Sequence, residues 1–200
     1  MQKFAGNQIS DVLSKKLGTE VKIGQVDIGL LNHLILNDIT IYDQQQKKML
    51  KASRIAAKFD IIELLRNGRI RISSAQIFGL HANLYKKNRN ANPNFKFVLD
   101  SLASKDERSK SPLYLQIRSL IIRNSSVTYD ELDAPITRRK FNPKHLDLRN
   151  ISGHLNLNEL TDNRISFTSE GLSFKEVSGL EVLNLAFEGV ADKKQAKLRG

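Results

Sequence analysis

The feature of this chain that most constrains its fold is a change of hydrophobic period at Gly18. Before that position apolar residues such as Ile9, Leu13 and Leu17 recur at helical spacing, which predicts an amphipathic helix over residues 2–17. Glycine adopts the left-handed conformation that commonly ends a helix. Beyond it apolar and polar residues alternate, as in "EVKIGQVDI", which is typical of a strand. The chain is therefore predicted to be mainly β, with one amphipathic helix at its start.

The same alternation continues through the chain and predicts a series of strands joined by short connections. They are expected near residues 21–28, 34–42, 53–59, 69–78, 82–85, 113–122, 126–129, 146–157, 165–169, 172–174 and 182–190. Asp60 is suited to cap a short helix in "IIELLRN", and Asn92 followed by Pro93 opens a second one in "PNFKFVLDSLAS". Residues 104–112, "SKDERSKSP", read as a charged linker. Since no crossover helices of roughly 10–15 residues separate the strands, the sheet is predicted to be antiparallel rather than parallel.

The later strands separate an apolar face from a polar one. Leu155 and Leu157 share a face in "HLNLN", and Leu183, Leu185 and Phe187 share a face in "LNLAFE". One apolar and one polar side indicate an antiparallel sheet with a solvated face. These five residues are the candidates for any apolar binding surface.

Three segments repeat one pattern at intervals of about 40–45 residues, within the range of repeat architectures. They are "LILNDITIYD", "AQIFGLHANLYK" and "SLIIRNSSVTYD". In each, an apolar pair is followed by Asn or Gly and then a short strand that ends in Tyr. The alternation changes parity at the turn-forming residue, which predicts a bulge or a tight turn there. The pattern therefore favours an open sheet, to which further strands can be added, rather than a closed barrel.

The sequence contains no residue set that points to catalysis, and we expect neither an enzyme nor a metal or cofactor site. Cysteine is absent, and the four histidines lie far apart at no metal-ligand spacing. His154 alternates with leucines and is expected on the solvent face. No glycine-rich phosphate loop or nucleophile motif occurs. The pair Asp130–Glu131 lies in turn sequence, where solvated carboxylates are the expectation.

The net charge of +11 favours an anionic partner, but solvated turns of a β protein are the preferred explanation, because the lysines and arginines are spread along the chain. Arg138, Arg139, Lys140 and Lys144 form the richest basic stretch, "PITRRKFNPKH", and are candidates for contact with an anionic surface. Single-strand nucleic-acid binders place aromatic residues beside their basic groove, and this stretch offers only Phe141. We therefore expect no nucleic acid among the partners, although nucleic-acid binding remains the third alternative.

The order of several segments resembles the AsmA-like proteins, and most closely the TamB (translocation and assembly module) branch of Bacteroidetes-type bacteria. A helix ending in "LSKKLG" is followed by "VKIGQVDI", "LILNDITIYD" and "KMLKASRIAAKFD". Next come "IIELLRNG", "RIRISSAQIFGLHANLY" and "NPNFKFVLDSL". The similarity covers residues 10–102 and extends more loosely over 112–200. The sequence departs from the family pattern at "DQQQKKML", where a hairpin turn with glycine is usual.

The resemblance implies a twisted, mostly antiparallel sheet that curls into a taco-like groove with an apolar inside. It implies a helix over 1–18 after a membrane anchor that is missing here, and a first groove unit over 19–103. After the linker 104–112 it implies a continuing unit over 113–200, which we expect to be truncated before the C-terminal region that would meet a partner. Proteins of this family are anchored in the inner membrane and extend into the periplasm. They are associated with phospholipid movement between the inner and outer membranes. The family also acts with an Omp85-type outer-membrane partner. The rival interpretation is a β-sandwich that binds carbohydrate or protein, in which the apolar residues fill an ordinary core.

Overall fold

The computed structural model describes residues 2–29, 33–59, 70–103, 113–137, 140–160, 164–192 and 195–200. It contains two helices and nine strands in these ranges. They are α1 Gln2–Leu17, β1 Val21–Gly29, β2 His33–Tyr42, β3 Lys48–Phe59, β4 Ile70–Lys86, α2 Lys96–Ala103, β5 Leu113–Glu131, β6 His145–Leu160, β7 Arg164–Glu176, β8 Glu181–Asp192 and β9 Ala196–Arg199. The predicted first helix is confirmed. The predicted helix at "IIELLRN" and the linker 104–112 lie outside the described residues.

The nine strands form one sheet in which spatial order follows chain order from β1 to β9. The sheet is mostly antiparallel and does not close into a barrel, so the predicted mainly β class is confirmed. One pair differs from the prediction, because β4 and β5 run parallel. The connection over residues 87–112 includes α2 and exceeds the roughly one dozen residues that a parallel crossover needs. The expectation that crossover segments are absent was wrong at this one place.

Both helices pack against the same face of the sheet, which we call the apolar face. Its buried cluster is formed by residues of the first three strands and the end of α1: Leu17, Val21, Val26, Leu34, Leu36, Ile39 and Ala52. Ile9 and Leu13 of α1 pack against this cluster, as do Phe97 and Val98 of α2. The helical stripe read from the sequence is thus the surface that α1 buries. Gly18 follows it with a φ of 65°, as predicted for the end of the helix.

A row of left-handed residues crosses the sheet and explains the repeated sequence pattern. Asp38 in β2, Gly79 in β4 and Asn124 in β5 have φ values of 54°, 60° and 48°. Asn150 in β6 and Gly171 in β7 extend the row. The parity change predicted for the segments in β2, β4 and β5 falls at this row, although in β2 the left-handed residue is Asp38 and not the preceding Asn37. Segments predicted as separate strands, such as 69–78 and 82–85, are therefore halves of single long strands, because a left-handed residue bends a strand without ending it.

Candidate functional site

The apolar face continues across the sheet as rows of residues that pair in register. One row joins seven strands, and a second lies beside it. The first is Leu34, Ala57, Ala75, Leu120, Leu155, Ser169 and Phe187, and the second is Leu36, Ile55, Ile77, Ile122 and Gly153. Residues that pair directly in adjacent strands project from the same side of a sheet. The surface is consequently continuous from the buried cluster at β2 to Phe187 in β8.

The cover over this face differs between its two halves. Over the first strands α1 and α2 bury it, and Leu34, Leu36 and Ala57 are each less than 9% exposed. Among the described elements, β6, β7, β8 and β9 have substantial contacts only with neighbouring strands. Leu155, Leu157 and Phe187 are accordingly only half-buried. The described part of the chain thus leaves the second half of the apolar face open.

Four of the five predicted apolar candidates lie on this face. Leu155 and Phe187 belong to the first row, and Leu157 pairs with Phe167. Leu185 pairs with Leu172 and is 38% exposed.

Leu183 differs from the prediction that it shares a face with Leu185 and Phe187. It is 77% exposed, and its neighbour Val182 pairs with Phe174. The register shifts between Leu172 and Phe174, and this irregularity reverses the parity of β8. Val182 therefore takes the place on the apolar face that strict alternation gave to Leu183.

Two side chains of β7 that sequence reasoning missed shape the open half of the face. A Cβ on Gly189 would lie 2.5 Å from Cζ of Phe167, so the Phe167 ring lies directly over this glycine. The ring also meets Phe187 edge-to-face, with ring centroids 5.7 Å apart and an interplanar angle of 82°. Leu172 lies against Gly153 in the same way, 3.1 Å from the position of an added Cβ. The signal in the sequence was the alternation of Phe167 and Leu172 with polar residues on either side of Gly171.

The opposite face of the same strands carries polar side chains that bond across the sheet. Asn156 donates to Glu170 at 3.0 Å, and Asn158 donates to Thr168 at 3.0 Å. His154 lies on this face with its Nε2 2.8 Å from the Ser119 hydroxyl, in agreement with its predicted place. The same strands therefore carry apolar side chains on one face of the sheet and hydrogen-bonded polar side chains on the other.

Of the predicted anionic-surface residues, Lys140 and Lys144 are exposed. Arg138 and Arg139 lie outside the described residues. Lys144 is 3.2 Å from Glu131, which also lies 2.8 Å from Lys86. Glu131 is only 5% exposed, so the expectation of a solvated carboxylate was wrong for this residue. The hydrogen bond from Lys86 lowers the pKa of Glu131, against the opposing effect of its burial.

Three buried carboxylates occupy equivalent positions where β2, β5 and β7 end. Asp43, Glu131 and Glu176 are 1%, 5% and 5% exposed, and the backbone carbonyl oxygen of each accepts a backbone N–H of its own turn. Burial acts to raise the pKa of Glu176, but hydrogen bonds from Ser178 and from the backbone lower it overall. The carboxylates of Asp43 and Glu176 accept backbone N–H groups of their own turns, and that of Glu131 pairs with Lys86 and Lys144. These contacts favour a structural role for the three carboxylates over acid–base chemistry.

Within the described ranges, no group of His, Asp or Glu side chains is arranged to hold a metal ion. No helix among the described residues has the length and apolar character needed to cross a membrane. No family model, curated protein or solved structure matches the chain.

Proposed function

We propose that this chain is a non-enzymatic segment of an inner-membrane-anchored periplasmic protein that conducts phospholipid between membranes. The resemblance to the AsmA-like proteins and to TamB supports this proposal and adds support for outer-membrane protein assembly with an Omp85-type partner. The observation that carries it is the apolar face, which is continuous over the strands and, in the described part of the chain, open beyond the cover of α1 and α2. Such a face needs no reactive group to shield acyl chains from water.

The energetics suit a lipid path. Burying an acyl chain of about 16 carbons, at about 0.8 kcal/mol per methylene, gives an upper limit near 13 kcal/mol before ordering costs reduce it. The open half of the face bears Leu155, Leu157, Phe167 and Phe187, whose side chains are all half-buried. Phospholipid should therefore remain bound to this face when the protein is purified.

The rival β-sandwich needs a second sheet to cover the apolar residues. All nine described strands belong to a single sheet, so no described strand supplies that cover. Binding of carbohydrate or protein remains a second candidate function, but no observation on the described residues favours it over lipid.

Photo-crosslinking tests the lipid path. A photoreactive amino acid replaces Leu155 or Phe187 on the apolar face, and Asn156 or Glu188 in the matched controls on the polar face. Each control is the sequence neighbour of a test residue, so the variants differ mainly in the face that they report. We expect labelled phospholipid, detected by mass spectrometry after purification from cells, on the first pair only.

Circular dichroism establishes that each crosslinking variant is folded. Equal labelling of both faces, or no labelling of folded protein at any of the four positions, would refute the lipid path. Capture of oligosaccharide or protein on Phe187 in place of lipid would favour the second candidate function.

A further inference from the structure

One end of the sheet gathers the connections that follow β2, β4, β5 and β7. These strands run in the same direction, because β3 and β6 are antiparallel to their neighbours while β4 and β5 are parallel. Backbone hydrogen bonds join two of these connections to strands beside them. Leu132 N–H donates to Lys86 at 3.0 Å, and Val177 N–H donates to Asp147 at 3.2 Å. We call this end, formed by residues 43–48, 86–95, 131–137, 140–145 and 176–181, the turn edge.

The turn edge carries most of the large apolar side chains that the described residues expose. They are Leu132 at 59%, Ile136 at 77%, Phe141 at 53%, Val177 at 66% and Leu180 at 43%. Only Leu183, Leu185 and Leu198 complete the set for the described ranges. Scattered exposed apolar residues need no explanation, but their concentration at one end of a protein marks an interaction site.

At the turn edge the positive charges are exposed, whereas most of the carboxylates are buried. Its exposed residues include six cations: Lys47, Lys48, Lys87, Arg89, Lys140 and Lys144. Its carboxylates Asp43, Glu131 and Glu176 are instead buried within the turns. Two exposed acids remain, and one of them, Glu181, forms an ion pair with Lys175 at 2.9 Å. The surface that a partner meets is therefore cationic and apolar together.

We propose that the turn edge docks on the surface of an anionic lipid bilayer. Leu132, Ile136 and Phe141 enter the boundary between headgroups and acyl chains, while Lys140 and its neighbours contact the headgroups. Cations alone would suit nucleic acid equally well, but exposed aliphatic tips have no role on a phosphate backbone. The inference goes beyond the proposed lipid path, since that path uses a sheet face and this surface uses the ends of strands.

Vesicle co-sedimentation tests the docking surface. The purified protein is mixed with vesicles of phosphatidylcholine alone or with added phosphatidylglycerol, and the bound fraction is measured. We expect binding to the anionic vesicles only. Lys140→Ala should weaken partitioning about fivefold, the equivalent of about 1 kcal/mol per cation near the surface. Ile136→Ser combined with Phe141→Ser should weaken it at least about tenfold through lost apolar burial.

Leu198→Ser is the matched control, because Leu198 is 71% exposed and lies on β9, which pairs with the end of β8 far from the turn edge. Leu198 pairs with Gly189 on the apolar face, so this control also separates docking through the turn edge from vesicle contact through that face. It should leave vesicle binding unchanged. Equal binding to neutral vesicles, or a double variant that binds like the control, would overturn the proposal. Duplex DNA could instead displace the vesicles while Ile136→Ser and Phe141→Ser leave vesicle binding unchanged. That result would assign the turn edge to nucleic acid. Crosslinking at Phe187 should persist in the double variant, so failure of docking is distinguishable from failure of the lipid path.

Discussion

Asp43 allows a quantitative test of how the turn edge is held in place. Its Oδ1 accepts the backbone N–H groups of Gln45 at 2.8 Å and Lys47 at 2.9 Å. Its Oδ2 accepts the Tyr85 hydroxyl at 2.8 Å, which ties the β2–β3 hairpin to β4. Burial acts to raise the pKa of Asp43, but the hydrogen bonds outweigh it, so the pKa lies below its usual range.

Asp43→Ala removes all three hydrogen bonds. The Tyr85 bond to a charged partner contributes at least about 1.5 kcal/mol, while each backbone bond contributes less, because Gln45 and Lys47 are exposed and water replaces the carboxylate there. We expect Asp43→Ala to lower the free energy of unfolding by about 3 kcal/mol. Asp43→Asn retains one oxygen for the backbone bonds and should lose about half of that, roughly 1.5 kcal/mol.

Urea denaturation followed by circular dichroism measures these changes. Asp133→Ala removes an exposed carboxylate from the β5–β6 connection and should stay within about 0.5 kcal/mol of the parent protein. A double-mutant cycle of Asp43→Asn with Tyr85→Phe should give a coupling energy of about 1 kcal/mol. A zero coupling energy, or equal losses for Asp43→Ala and Asp133→Ala, would refute the assigned role of the carboxylate.

The pKa shifts of Asp43 and Tyr85 predict how stability changes at acidic and at alkaline pH. The pKa of Asp43 is lower in the folded state, so its stabilisation is present above the unfolded pKa of about 3.9 and is lost as the pH falls through the folded pKa. Burial, followed by the hydrogen bond and charge of Asp43, raises the pKa of Tyr85 to about 12. That stabilisation is complete below the unfolded pKa of about 10 and is lost as the pH rises through the folded pKa. Tyrosinate absorbance in the parent and in Tyr85→Phe measures the alkaline step.

Three further predictions test other parts of the structure. Gly79→Ala should lower the free energy of unfolding, measured in urea, by about 1–2 kcal/mol. Residue 79 is left-handed with a φ of 60°, and the new Cβ would lie 2.7 Å from Ser53 Oγ. Gly79→Asn should recover part of this loss, because Asn tolerates the left-handed conformation better than Ala. Gly189→Ala should cost about 1–3 kcal/mol through its contact with the Phe167 ring, and Phe167→Leu in the same chain should reduce that cost if the overlap is its cause. The Asp130 hydrogen bond raises the pKa of His145, so Asp130→Asn should shift the His145 titration measured by NMR to lower pH; an unchanged midpoint would contradict the contact. The stabilisation from His145 is full below its unfolded pKa and is lost as the pH rises through its folded pKa.

Local sequence determined the elements of this protein. The helical stripe of Ile9, Leu13 and Leu17 ends at a glycine, and period-two alternation marks most of the strands. The repeated Asn and Gly positions also predicted where strands change parity, since Asn124 and Gly79 tolerate a left-handed backbone that most residues avoid. Each of these signals acts within a few residues, so it can be read without knowledge of distant partners.

Only the tertiary structure decided how those elements meet. The parallel pairing of β4 with β5 depends on where a connection of many residues returns, which local alternation does not specify. Leu183 lies off the apolar face, contrary to the alternation of the sequence, because the pairing of β8 with β7 is irregular near Phe174. Glu131 is buried because Lys86 and Lys144, distant from each other in sequence, converge on it. Strand register, burial and charge pairing join residues far apart in the chain, and their energies exist only after the sheet has brought those residues together.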